Sequence, residues 1–152
     1  MPRLSCVRGR KMGDQIPEFA NYKQRGEWVE MMFMARAAAE GLQVSKPYGD
    51  SAAYDFIVEH GALCRRIQVK STIHQQNGGF TCELRGSKRT PYTPHSFDFA
   101  AVFLLPINVW FIFPQMINQI CFFFKPGKAN SKYHEYEEAW HLLRSNEVAK
   151  TS

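Results

Sequence analysis

Apolar and polar positions alternate most regularly between residues 54 and 72, in the middle of the chain. Two runs rich in aromatic and β-branched residues, at 54–58 and 67–69, lie on either side of a turn at His60-Gly61. This composition and spacing are typical of two antiparallel strands joined by a tight connection. We therefore predict a β-hairpin at the centre of the fold.

Three polar side chains, Asp55, Gln68 and Lys70, interrupt the apolar positions of this hairpin. Because strand side chains alternate between faces, Gln68 and Lys70 point the same way and Val69 points to the opposite face. A two-residue turn at His60-Gly61 sets Asp55 opposite Arg66 and diagonal to Gln68, whereas a four-residue turn sets it opposite Gln68. Either register gathers a carboxylate, an amide oxygen and an ammonium group into one cluster.

This cluster has two interpretations that the three residues alone support equally. Carboxylate and amide oxygens are hard ligands that suit Mg²⁺. A lysine beside the metal can orient or deprotonate a water molecule, or offset charge that builds up on a phosphate. The alternative is a structural Asp55–Lys70 ion pair at an edge of the sheet.

Hydrophobic periodicity predicts a helix over residues 22–40, in a stretch that contains an alanine run and no proline. Val29, Phe33 and Ala37 recur at helical spacing and form its apolar stripe. Glu30 falls inside that stripe, where a carboxylate is costly unless it is paired or bound to a metal. Glu30 is therefore either a site residue or one half of an ion pair with an arginine or lysine.

Apolar runs predict five further strands. They lie at 42–48, 79–84, 97–105, 108–113 and 120–124. The membrane-like run 99–113 is too short to span a bilayer and is interrupted at Pro106-Ile107-Asn108. Two buried strands joined by a turn explain it better.

A last helix is predicted over 133–144, so the pattern as a whole indicates an α/β fold with a mixed central β-sheet flanked by helices. Residues 22–145 are expected to form a single domain, followed by a polar tail at 146–152. Residues 1–21 carry basic side chains without periodicity and are expected to form a flexible arm. That arm either follows a DNA backbone or is non-native upstream sequence, since Met12 would also serve as a start.

The net charge of +5 and the pI of about 9.1 favour a polyanionic partner, although 19 basic residues against 14 acidic ones is a modest excess. The four cysteines form no CxxC pair, and no histidine stands at zinc-ligand spacing from them. Reduced thiols and the absence of a secretory signal at the start of the sequence lead us to expect a cytoplasmic, nucleoid-associated protein of bacterial type.

The order Gly49-Asp50-x4-Asp55 followed by Gln68-Val69-Lys70 resembles the PD-(D/E)XK nuclease superfamily, with Gln68 in the second acidic position. This glutamine variant is similar to the branch that contains a bacterial group I intron homing endonuclease. The resemblance extends over roughly residues 22–117.

Residues outside the hairpin also match the pattern of that superfamily. Gly26 and Glu30 match the Gly-x3-Glu of its first helix, although Val29 stands where many relatives have a small residue. The turn Tyr92-Thr93-Pro94 and the following Asp98 match the segment that precedes its central strand, and we interpret them as architectural.

The resemblance implies a PD-(D/E)XK core and Mg²⁺-dependent hydrolysis of DNA phosphodiester bonds, with Mn²⁺ as a substitute metal. Asp55 and the Gln68 side-chain oxygen would hold the metal together with the Val69 carbonyl. Glu30 would hold a second metal or a metal-bound water. Lys70 would position the attacking water and offset charge at the phosphate.

The expected partner is double-stranded DNA, cut in a homing, restriction or repair setting. Two basic loops supply the residues expected to contact it, because hydroxyl, basic and aromatic side chains suit phosphate contact and stacking. They are Ser87, Lys88, Arg89, Tyr92, Lys125 and Lys128. The aromatic residues of 97–124 predict a subunit interface, and thus a homodimer or homotetramer.

Two hypotheses from other classes remain. Gln68 removes one negative charge and weakens metal binding, which favours a catalytically inactive DNA-binding or assembly module with a nuclease-like fold. A purely structural oligomer would have no affinity for nucleic acid. Hydrolysis is preferred because Glu30, Asp55 and Lys70 are all present.

Overall fold

The computed structural model describes residues 17–86, 89–116 and 118–144. Within these residues the chain forms one α-helix and eight β-strands. They are α1 Tyr22–Ala39, β1 Gln43–Ser45, β2 Phe56–His60, β3 Leu63–Thr72, β4 Gln75–Gln76, β5 Gly79–Glu83, β6 Phe99–Leu104, β7 Val109–Pro114 and β8 Cys121–Phe124. The predicted first helix and the predicted strands are all present, with bounds that differ by a few residues.

Local interactions define both ends of α1. The side chain of Asn21 accepts a hydrogen bond of 2.9 Å from the Gln24 N–H, as an N-cap does. At the other end Gly41 takes a φ of 80°, and the Leu42 N–H returns to the Ala37 carbonyl at 3.0 Å. A left-handed glycine with this bond terminates the helix in a Schellman arrangement.

Five strands form the main sheet in the order β1-β2-β3-β6-β7. Neighbours are antiparallel except for β3 and β6, which run parallel, so the sheet is mixed. Strands β4, β5 and β8 form a separate antiparallel sheet. The predicted α/β class with a mixed central sheet is confirmed.

Each face of the main sheet carries its own apolar cluster. On one face Val69 and Phe103 pack with Phe33 of α1. On the other face Val102 and the remaining apolar side chains of β6 pack with β5 and β8. Lys70 pairs with Val102 across β3 and β6, and paired residues share a face, so the polar positions of β3 point toward the small sheet.

Most of the aromatic residues of 97–124 are buried within the chain, so their number alone does not indicate a subunit interface. Those that are buried pack inside the chain, with α1 on one face of the main sheet and with β5 and β8 on the other. They are Phe97, Phe103, Trp110, Phe111, Phe113, Phe122 and Phe124. The prediction of an oligomer loses this support.

The predicted helix over 133–144 is also wrong. The segment contains two short 3-10 turns, His134–Tyr136 and Trp140–Leu143, separated by Glu138 with a φ of 50°. Glu138 donates its N–H to the Trp110 carbonyl at 2.8 Å, and its carboxylate accepts the Trp110 N–H at 2.9 Å. The segment thus crosses the open edge of β7. Hydrogen bonds to the backbone of that edge outweigh the tendency of its helically spaced apolar residues to form a helix.

Among the described residues, no helix combines the length and the apolar character needed to cross a membrane. The run 99–113 forms β6, a 3-10 turn at Leu105–Ile107 and most of β7, as the sequence predicted. Cys64, Cys82 and Cys121 are free thiols.

We expect Glu138→Ala to destabilise the fold by about 2–4 kcal/mol, because it leaves two buried N–H donors without their acceptor. These donors are the Trp110 backbone N–H and the Trp140 Nε1–H, which lies 2.9 Å from Glu138 Oε2. Glu138→Gln should cost less, since it keeps one acceptor at the same backbone conformation. Urea unfolding measures both, with the exposed Glu135→Ala as control. Equal stability of Glu138→Ala and wild type would contradict this account of the β7 edge.

Candidate active site

The register of the hairpin determines where the site residues meet. Strands β2 and β3 pair Phe56 with Ile67 and His60 with Leu63, so the turn is formed by Gly61-Ala62. This register sets Asp55 opposite Gln68, one of the two arrangements that the sequence left open. The two-residue turn lies one position later than His60-Gly61, and Gly61 supplies its positive φ of 57°.

Asp55 is held by three hydrogen bonds at the point where β2 begins. Its N–H donates to the Ile67 carbonyl at 2.8 Å. Its Oδ2 accepts the Val69 N–H and the Gln68 Nε2–H, both at 2.7 Å. Gln68 is 7% exposed, so this carboxylate and amide form a largely buried polar pair. The sequence-predicted cluster is therefore assembled, with its carboxylate locked in one orientation.

The environment of Asp55 disfavours its charged form. Burial raises the pKa of Asp55 above its ordinary value of 3.8, and the negative charge of Glu30 raises it further. The hydrogen bond from Val69 and the positive charges of Lys70 and Lys46 lower this pKa without cancelling the effect of burial. A cation placed against Asp55 would therefore stabilise its ionised form.

Glu30 lies on α1 next to the buried Val29, and its charge acts on Asp55. Its Oε2 lies 2.5 Å from the Lys46 Nζ, and its side chain is 26% exposed. The ion pair with a lysine that the sequence offered as an alternative is thus present. The negative charge of the same carboxylate raises the pKa of Asp55, so Glu30 lies within electrostatic reach of the candidate site.

Lys70 and Tyr92 form a further side of the site. The Lys70 Nζ lies 5.9 Å from the centroid of the Tyr92 ring, which packs edge-on against Phe97 at 5.1 Å. Burial, and after it the charge of Asp55, raises the pKa of Tyr92 to about 12. Its hydroxyl is therefore a neutral hydrogen-bond donor at physiological pH. Tyr92 is half-buried beside Lys70 rather than exposed on a loop.

The donor set fits a metal that prefers oxygen ligands. The described ranges contain no group of three or more His, Cys, Asp or Glu side chains that could hold a metal ion. The available donors are the two carboxylates of Glu30 and Asp55, the Val69 carbonyl and the Gln68 amide oxygen, which suit Mg²⁺ or Mn²⁺. Gln68 turns its Nε2 toward Asp55, so ligation through its oxygen requires the amide to turn over.

The predicted DNA-contacting residues lie in two loops. Ser87 and Lys88 fall outside the described residues. Arg89 is exposed with a φ of 57° on the loop that leads to Tyr92. Lys125 and Lys128 are exposed and follow β8, in the layer that covers the Lys70 face of the main sheet. The structure brings Tyr92 to the cluster and places the other three on the surface.

Sequence reasoning did not single out Lys46 as a site residue. It follows β1 and lies sixteen positions from Glu30, so no local pattern links the two residues. Asp98 has the architectural role expected of it. Its carboxylate accepts the Arg66 N–H at 2.7 Å and pairs with the Arg66 guanidinium at 3.2 Å. Burial raises the pKa of Asp98, but these bonds lower it below its ordinary value.

A mixed sheet with a carboxylate at the start of one strand and Gln-Val-Lys on the next is consistent with a restriction-endonuclease-like fold. A family model described as PD-(D/E)XK endonuclease matches residues 20–143. The chain belongs to this family.

A bacterial homing endonuclease, I-Ssp6803I, has a similar structure, with a TM-score of 0.68 at 23% sequence identity. The similarity covers 81% of this chain and 93% of that one, and it shows a shared fold. No curated protein matches the sequence significantly.

We expect Asp55→Asn to stabilise the metal-free protein at pH 7. Asparagine keeps an acceptor for the Val69 N–H and removes the charge that burial disfavours. Because the folded pKa of Asp55 is raised, its neutral form favours folding below pH 3.8, and this stabilisation is lost as pH rises through the folded pKa. The advantage of the variant should therefore shrink on acidification.

Thermal unfolding in chelator, from pH 7 down to pH 4, measures this effect, and each kcal/mol gained should raise Tm by roughly 4 °C. Asp50→Asn, in the exposed turn, is the matched control. A lower Tm of Asp55→Asn than of wild type at pH 7 would show that the hydrogen bonds to the carboxylate outweigh its desolvation.

Proposed function

We propose that this protein is an endodeoxyribonuclease that depends on a divalent metal and hydrolyses phosphodiester bonds of double-stranded DNA. The observation that carries the proposal is the Asp55 carboxylate, which is held against Gln68 and Val69 and lies within electrostatic reach of Glu30 and Lys70. The membership of this chain in the PD-(D/E)XK endonuclease family supports the same chemistry.

Asp55, the Val69 carbonyl and the Gln68 amide oxygen would hold Mg²⁺ or Mn²⁺, and Glu30 would hold a second ion or a water bound to the first. The bound metal supplies Lewis-acid stabilisation of charge on the phosphate and lowers the pKa of a bound water. The hydrogen bond from the Val69 N–H keeps Asp55 in one orientation, so no reorganisation of this carboxylate is needed.

Lys70 orients the attacking water and offsets negative charge on the phosphate. Tyr92 restricts the lysine by packing beside its ammonium group, and the ring is itself supported by Phe97. Because Tyr92 stays protonated, it adds a donor and no negative charge where the phosphate arrives. The exposed residues Arg89, Lys125 and Lys128, together with Ser87 and Lys88, would contact the DNA backbone.

Homing-type cleavage is the first form of the proposed endonuclease activity to test, because a protein of similar fold is a bacterial homing endonuclease. Restriction and repair settings use the same chemistry. A homodimer or homotetramer remains part of the proposal, since two copies of one site can cut the two strands of a duplex symmetrically.

One observation favours an inactive DNA-binding or assembly module. Gln68 donates to Asp55 at 2.7 Å, so this pair is satisfied without a metal ion. A glutamate at this position would instead repel Asp55 until a cation bound between them. Activity therefore has to be tested separately from DNA binding.

We expect Asp55→Asn and Lys70→Met each to lower plasmid nicking in Mg²⁺ by roughly a hundredfold or more, as is typical when a charge-stabilising group is removed. Gel-shift assays in chelator should show DNA affinity equal to or tighter than wild type for Asp55→Asn, because a charge that repels phosphate is lost. Lys70→Met should bind only slightly more weakly, by about 1 kcal/mol.

The exposed Asp50→Asn is the matched control and should nick like wild type. Equal nicking by wild type and both site variants would reveal a contaminating nuclease. Together with intact DNA binding, that result would make the inactive module the better description.

DNA binding should weaken steeply with salt, and changing Lys88, Arg89, Lys125 and Lys128 to alanine should reduce the slope of log K against log[salt] by roughly 3–4. The reason is that each phosphate neutralised by a basic side chain releases counterions. The control exchanges lysine for arginine, and arginine for lysine, at the same four positions and should keep the slope. An unchanged slope in the alanine variant would mean that DNA binds another surface.

A further inference from the structure

Lys46 is the ion-pair partner of Glu30 in the candidate site. Its Nζ is 2.5 Å from Glu30 Oε2 and 5.4 Å from the centroid of the Phe56 ring, the residue that follows Asp55. Its charge also acts on Asp55, in the direction that favours the ionised carboxylate. One ammonium group therefore pairs with Glu30 and also acts electrostatically on Asp55.

The balance of charge in the cluster gives Lys46 a specific role. Without a metal, the two carboxylates of Glu30 and Asp55 face two ammonium groups, those of Lys46 and Lys70. Lys46 is 56% exposed, whereas Glu30 is 26% exposed. An ion pair open to water on its lysine side is a weak one. A doubly charged cation can displace such an ammonium from the carboxylate, while the lysine returns to solvent.

We propose that Lys46 is a positioning residue that holds Glu30 in the metal-free site and competes with a divalent cation for this carboxylate. The inference rests on the proposed function and deepens it. Glu30 becomes available to the metal only when its lysine partner is displaced. The ion pair keeps Glu30 directed at the cluster before the metal arrives and limits how tightly the metal is held.

Calorimetric titration of Mn²⁺ into the full-length protein tests this competition with a readout other than cleavage. Lys46→Met should bind Mn²⁺ about threefold or more tightly than wild type, the range expected when a part-exposed ion pair no longer competes. Lys46→Arg keeps the positive charge and should therefore bind Mn²⁺ with wild-type affinity. Lys132→Met removes an exposed lysine that packs on Tyr133, in the other apolar cluster, and should leave affinity unchanged.

A double-mutant cycle separates competition at Glu30 from a general effect of charge. In the Glu30→Gln background, replacing Lys46 by methionine should produce less than half of the gain in log affinity seen with Glu30 present, because the shared partner is gone. Thermal unfolding of each variant confirms that it is folded.

The outcomes distinguish the inference from the proposed function. Tighter binding by Lys46→Met that depends on Glu30 supports the inference. Unchanged affinity in Lys46→Met, or an equal gain in the Glu30→Gln background, overturns it and leaves the proposed nuclease in place. A wild-type protein that binds no Mn²⁺ and nicks no DNA overturns both.

Discussion

The contact between the Asp55 carboxylate and the Val69 N–H is the interaction on which the site depends. It lies where the pairing of β2 with β3 ends, because Asp55 immediately precedes Phe56, the first paired residue of β2. The carboxylate satisfies a backbone donor of β3 that β2 itself does not reach, and it is thereby buried beside Gln68. A side chain that completes the sheet is thus also the principal acid of the candidate site. Its ionised form is destabilised by the same burial that holds it in place.

The rest of the fold supports this arrangement by dividing the two faces of the main sheet. The face toward α1 is apolar and is packed with Phe33, Trp110 and Trp140. The other face is apolar under the small sheet and polar at Gln68 and Lys70 of β3. Stability therefore comes from two clusters that enclose the sheet. Gln68 and Lys70 belong to the face opposite α1, whereas Glu30 comes from α1 itself.

The charges of the site come from elements that are distant in sequence. Helix α1 contributes Glu30, the segment after β1 contributes Lys46, and the hairpin contributes Asp55 and Lys70. The loop before β6 adds Tyr92, whose ring lies beside Lys70. The charged groups of the site are therefore held by several separate parts of the chain. In this chain position 68 is a neutral glutamine, so the site carries one negative charge fewer than it would with a glutamate there. Lys46 forms an ion pair with Glu30.

The sequence by itself determined the helix over Tyr22–Ala39, the hairpin, the pair β6–β7 and the polar cluster of Asp55, Gln68 and Lys70. These features follow from periodicity, from helix-terminating residues and from fixed spacing on adjacent strands, all of which act locally along the chain. Only the tertiary structure decided the turn at Gly61-Ala62, the second sheet, the non-helical end of the chain and the pairing of Glu30 with Lys46. The last three depend on contacts between residues far apart in sequence, which a local pattern does not reveal, and the turn follows from the register in which β2 and β3 pair.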